Sequence, residues 1–222
     1  MHFLQAVPSK CGKNALPSTL KSRNLLKSSS NEDEINQERK GCSSSNSKLP
    51  SSRSDSSNQL MKLREQLSIQ GLDAFLVPSS DAHQSKYVAE QDKRRAWLSG
   101  FTGSDGFAVV TESSAALWTD GRYYLQADEQ LDCNWILMRS EEPETPDWWD
   151  WLQKEANVEE NECNYIIGAD PSLAAAEKWI EWEEKLRRRN MRLKPILTNP
   201  IDRIWKTRPL GRATKLNVQS LK

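Results

Sequence analysis

The sequence predicts an α/β fold: a single layered domain with a central mixed β-sheet flanked by helices, preceded by a disordered leader. Three observations carry this. From Leu60 onward, short β-rich apolar runs alternate with segments of helical period. Two of those runs, GFAVVTE and AALWTD, are separated only by Ser113-Ser114 and read as one internal hairpin, which makes the sheet mixed. All nine tryptophans fall between Trp97 and Trp205, whereas residues 1–59 hold fifteen serines and a single aromatic, Phe3. A segment so poor in large apolar groups cannot offset the entropy of ordering its backbone. The expected boundaries are therefore a Ser/Lys-rich leader over 1–59, the folded domain over 60–206, and a linker toward a following domain over 207–222.

The elements follow in order. LMKLREQLSIQG places Leu60, Leu63 and Leu67 at helical spacing and closes on Gly71, a residue able to take the left-handed C-terminal position. DAFLVP is a short strand ended by Pro78. A polar loop, SSDAHQSKYVAEQDK, leads to a short helix around Asp92 to Leu98. After the hairpin, RYYLQADEQL has helical character and CNWILMR reads as a strand. TPDWWDWLQKEA starts a helix with Thr145 as N-cap and Pro146 at the first helical position. Strand NYIIGAD, helix PSLAAAEKWIEWEEKLRRRN, strand RLKPIL and helix NPIDRIWK complete the domain.

Charge divides along the leader boundary. The first 59 residues carry nine Lys/Arg against five Asp/Glu, and the remainder is mildly acidic. That balance argues against nucleic-acid binding, and Arg187-Arg188-Arg189 fits the last turn of a helix, where it complements the dipole. No stretch approaches the roughly 18 apolar residues of a membrane span. The leader has no acid before Glu32 and carries several lysines and serines, a composition shared by transit peptides and untargeted tails. The expected location is cytoplasmic, with mitochondrion or plastid the alternative if the leader is a transit peptide. Cys11, Cys42, Cys133 and Cys163 show no C-x-x-C spacing, so neither a zinc site nor a disulfide framework is expected.

Few segments offer chemistry. SDAHQS holds Asp81, His83 and Ser85, but alternate residues of an extended segment do not make a nucleophile relay, and a loop-ordering histidine is the better reading. SGFTGSDG matches neither dinucleotide nor phosphate-loop spacing and leads into a strand, so it reads as a tight connection. Trp148, Trp149 and Trp151 read as core or protein interface rather than as a ligand platform. WTDGRYYLQA is more informative. Asp120 and Gly121 stand where a strand gives way to a helix, so the acid can cap the helix, the glycine can turn the chain, and Arg122 projects from the sheet's carboxyl edge. A guanidinium there can fork onto a carboxylate or carbonyl oxygen. A salt bridge, either internal from Asp120 to Arg122 or interdomain, is the equal alternative.

DAHQS, RRAWLSGFTGS and WTDGRYYLQA, in that order, followed by NPIDRIWKTRP, resemble the amino-terminal domain of the long, three-domain Xaa-Pro aminopeptidases (aminopeptidase P), relatives of creatinase and prolidase. The similarity spans about Leu60 to Pro209. The resemblance implies an enzyme that removes the first residue from peptides with proline in second position. Its two metal ions, usually manganese, are held by a carboxy-terminal domain that lies beyond the similar region. No catalytic residue and no metal ligand is therefore assigned to this chain.

The resemblance also implies that Arg122 binds substrate, with His83 and Asp120 in supporting roles, and that the amino-terminal domain contributes cleft and homodimer contacts. Relatives commonly have alanine where this sequence has Asp105, so an extra carboxylate either disturbs local packing or faces water. The alternative reading is a stand-alone interaction module that binds peptides or full-length partners without catalysis.

Overall fold

The computed structural model describes residue 42 and residues 53–156 and 165–211. Nearly all of the expected leader, and the end of the expected linker, lie outside the described residues. Six helices and six strands are labelled here in chain order: α1 (Ser57–Gln70), β1 (Ala74–Pro78), α2 (Arg94–Ser99), β2 (Phe107–Thr111), β3 (Ala115–Thr119), α3 (Tyr124–Gln130), β4 (Ile136–Arg139), α4 (Trp148–Glu155), β5 (Tyr165–Ala169), α5 (Ala176–Arg187), β6 (Met191–Pro195) and α6 (Pro200–Ile204).

The strands form one mixed sheet in the order β4-β3-β2-β1-β5-β6. Only β2 is antiparallel to its neighbours; β1, β3, β4, β5 and β6 all run the same way. The β2–β3 hairpin is the one expected, closed where Thr111 N–H donates to Ser114 O. Five carboxyl ends therefore share one edge of the sheet, and the loop entering β2 arrives at that same edge.

Because both faces of the sheet are covered, its strands read as continuous apolar runs rather than as alternating ones. Phe75, Val77, Val110 and Leu117 pack on one face with Leu60, Leu63 and Leu67 of α1. Leu76, Val109, Ala116 and Trp118 pack on the other with Trp148, Trp151 and Trp182 of α4 and α5. The tryptophans expected in the core are there: Trp148 and Trp151 are buried, while half-buried Trp149 has Lys185 over its ring. Gly71 ends α1 at φ 65°, as its position after the leucines implied.

The structure corrects several details. Helix α1 begins at Ser57 rather than Leu60, and the residues before it are fastened to the domain: Arg53 donates to Asp128 O at 2.7 Å, and buried Ser56 donates its N–H to Asp132 and accepts from Trp135 Nε1 at 3.0 Å. Cys42 and Cys133 are joined as a disulfide, contrary to the expectation from spacing. Helix α4 starts at Trp148, not at Thr145-Pro146, because the Pro146 carbonyl is taken by Trp118 Nε1 at 2.9 Å. The segment from Pro171 does not run as one helix. Asp170 caps a single 3-10 turn, Ala174 and Ala175 are extended, and α5 begins at Ala176. Within the arginine run, Arg188 pairs with Glu184 and Arg189 with Asp150.

A charged knot fixes the end of the domain. Buried Arg94 reaches Asp202 through Nε at 2.7 Å and Asp92 through Nη1 at 3.0 Å, Arg208 contacts both of these carboxylates, and Trp97 stacks on Trp205 at 5.4 Å.

Candidate functional site at the carboxyl edge of the sheet

A groove of about 720 Å³ opens at the shared carboxyl edge. Its walls come from residues just after β1 (Ser79, Ser80), after β3 (Asp120, Arg122), from the loop entering β2 (Ser104, Asp105), and from α5 (Lys178, Trp182). Open α/β sheets bind ligands in such a position, where neighbouring connections leave in different directions.

The Asp120-Gly121-Arg122 turn is built locally. Tyr123 N–H donates to Asp120 O at 3.0 Å, and Gly121 N–H donates to Glu141 at 3.2 Å. Asp120 does not cap α3, as had been expected. That helix starts at Tyr124 with no side-chain cap, because the Asp120 carboxylate is already engaged by Arg122. Oδ1 accepts from the Arg122 backbone N–H and from Nε, each at 2.9 Å, and Oδ2 accepts from Nη2 at 2.6 Å. The salt bridge that the sequence left as an even alternative is formed, but it does not bury the guanidinium. The Arg122 side chain is 70% exposed and its head lies over the Tyr123 ring at 5.3 Å.

Asp105 brings a second carboxyl to this pair. Thr119 Oγ1 donates to Asp105 O at 2.9 Å, and Ser79 Oγ to Gly106 O at 2.5 Å, which holds the loop against the ends of β3 and β1. Desolvation, followed by the hydrogen bond and charge of Asp120, pushes the Asp105 carboxyl above its ordinary range. The bonds from Arg122 hold Asp120 down at about 2. Asp105 is an exposed residue whose carboxyl interacts with that of Asp120.

His83 is not brought to this cluster. It is exposed and does not line the groove. The order in its loop comes from Asp81, whose buried carboxylate accepts the backbone N–H groups of His83 at 3.0 Å and Ser85 at 2.9 Å. Sequence reasoning did not single out Arg95 or Lys86 beside the groove; RRAW gives no sign that both of its arginines are buried. Among the described residues no group of three or more His, Cys, Asp or Glu could hold a metal ion. The described residues thus do not fit the metal pair that the resemblance implies, and no chemical step is assigned to this domain.

Residues 59–203 match the Creatinase/Prolidase N-terminal domain. The chain belongs to that family. This creatinase-type domain is 42% identical to Xaa-Pro aminopeptidase 2 of Sus scrofa over 75% of the chain and 24% of that protein. It is 44% identical to Aminopeptidase P2 of Arabidopsis thaliana over 68% of the chain and 21% of that protein. Among solved structures it is similar to an X-prolyl aminopeptidase from Caenorhabditis elegans, described as a cytosolic enzyme with a di-nuclear active site, at 36% identity and a TM-score of 0.64, covering 70% of this chain and 26% of that one. The creatinase-type chain thus spans about a quarter of the length of these relatives.

Proposed function

We propose that this chain is the non-catalytic amino-terminal domain of an Xaa-Pro aminopeptidase. The full enzyme releases the first residue from peptides with proline in second position, by attack of a metal-activated water. Its two metal ions, manganese in this reading, sit on polypeptide beyond the described residues. The domain supplies substrate-cleft contacts through Arg122, with Asp120 in support, and contacts for a homodimer. The observation that carries the reading is the exposed Arg122 fork, oriented by Asp120 at the rim of a groove on the carboxyl edge of the sheet. Acting in the cytoplasm belongs to the same proposal, supported by the description of the Caenorhabditis elegans relative as cytosolic.

The test compares the 222-residue chain with the same chain extended by its downstream reading frame, each assayed with manganese on an Xaa-Pro peptide. The extended protein is expected to cleave and the shorter one is not. Cleavage by the shorter chain would contradict the non-catalytic role, and an inactive, folded extended protein would remove the assignment.

A further inference from the structure

The two sulfurs of the Cys42–Cys133 bridge stand in unlike surroundings. Cys133 is exposed in the turn between α3 and β4, whereas Cys42 is half-buried against the side chain of Arg53. Arg53 is 8% exposed, and its Nη1 lies 3.6 Å from Cys42 Sγ. Its Nη2 donates to Asp128 O at 2.7 Å, and its Nε has no hydrogen-bond partner among the described residues. A neutral disulfide sulfur is a weak acceptor for a buried guanidinium, but a thiolate at the same place would be a charged one. Cys133, in contrast, follows Asp132, whose buried carboxylate disfavours a second negative charge beside it. When the bond opens, the charge therefore belongs on Cys42.

We propose that this bridge is a thiol–disulfide exchange site, opened by a low-molecular-weight thiol that attacks Cys133 and expels Cys42 as a thiolate paired with Arg53. The attacking thiolate forms a bond to Cys133 Sγ, the bond between the two cysteines breaks, and its electron pair leaves on Cys42 Sγ beside Nη1. A second small thiolate then attacks the mixed disulfide at the small thiol's own sulfur. It releases the small-molecule disulfide and leaves Cys133 to take a proton from solvent, so two electrons have passed to the protein. The rate of such exchange follows the access of the attacked sulfur and the stability of the one that leaves, and both favour this order. Opening the bridge does not undo the clasp beside it. Ser56 N–H to Asp132 Oδ2 at 2.5 Å, Trp135 Nε1 to Ser56 Oγ at 3.0 Å and Asn134 Nδ2 to Ser57 Oγ at 3.0 Å involve neither sulfur. Exchange thus uncouples residue 42 from a domain that keeps its fold. The inference rests on this cluster alone and not on the function proposed above.

The air-oxidised 222-residue chain is treated with reduced glutathione, quenched in acid at intervals and mapped by peptide mass spectrometry. Glutathione is expected on Cys133 at least about tenfold more than on Cys42 while the bridge is opening, with an unchanged circular dichroism spectrum. Arg53→Met is expected to slow opening by about three- to tenfold, and Arg53→Lys, which keeps the charge, to recover part of that loss. Glutathione mainly on Cys42 or equally on both, an unchanged rate in folded Arg53→Met, equal slowing by Arg53→Lys, or air-oxidised chain without the bridge would overturn the exchange site. Should Arg53→Met fail to fold, the adduct map on the parent chain decides.

Discussion

Asp120 grips Arg122 with both carboxylate oxygens, at 2.9 Å to Nε and 2.6 Å to Nη2, two residues apart on a turn that leaves the guanidinium in solvent. The acid thereby sets the direction of the fork without hiding it. In the extended enzyme, Arg122→Ala is expected to lower kcat/KM by about ten- to a hundredfold, the range of one or two charge-assisted hydrogen bonds. The melting temperature should hardly move, because solvent screens so exposed a pair. Unchanged kinetics would leave the pair a purely local staple.

The carboxyl pair makes a pH signature. The folded domain raises the pKa of Asp105 above the 3.8 of a free aspartate, so the associated stability is present at low pH and is lost as pH rises through the folded-state value. Asp120 behaves oppositely: held at about 2, its contribution is present above 3.8 and disappears as pH falls from there toward 2. Asp105→Asn is expected to match the parent protein in stability near pH 3 and to become more stable toward neutrality, by less than about 1 kcal/mol after solvent screening. Thermal melts across that range measure it, and a constant difference at all pH values would contradict the coupling.

Gly106 is required by crowding rather than by its backbone angles. A Cβ there would stand 2.8 Å from Arg95 Nη1 and 3.2 Å from Trp118 O. Gly106→Ala is expected to destabilise the domain by about 1–3 kcal/mol through overpacking, read as a lower urea midpoint with an unchanged slope.

The Cys42–Cys133 bridge spans a sequence separation of 91. Cys133→Ser is expected to destabilise oxidised protein by up to about 4.6 kcal/mol in the chain-entropy view, read as a lower melting temperature, and to have no effect in reductant. If the protein works in the cytoplasm, rapid alkylation in freshly opened cells should label both cysteines, and the bond should form only after purification in air.

The strands were legible because burial on both faces leaves a continuous apolar signature, as in AALWT and AFLV, and α1 was legible because three leucines share one stripe. The site was less so. Asp120 and Arg122 are neighbours in the chain, so their partnership could be named in advance as one of two readings. Asp105 meets Asp120 only because β2 runs against the other strands and carries its entry loop to the end of β3. Arg95 was invisible because nothing local in RRAW marks its two arginines, both of them buried, as different from solvated ones. The disulfide was missed because nothing local links residues so far apart.

The stack of Trp97 on Trp205 has a mechanical consequence. Helix α2 carries Trp97 on one turn, Arg94 tied to Asp202, and Arg95. A tug on the polypeptide after Ile204 would thus fall on the same six-residue helix that buries Arg95 beneath the loop entering β2.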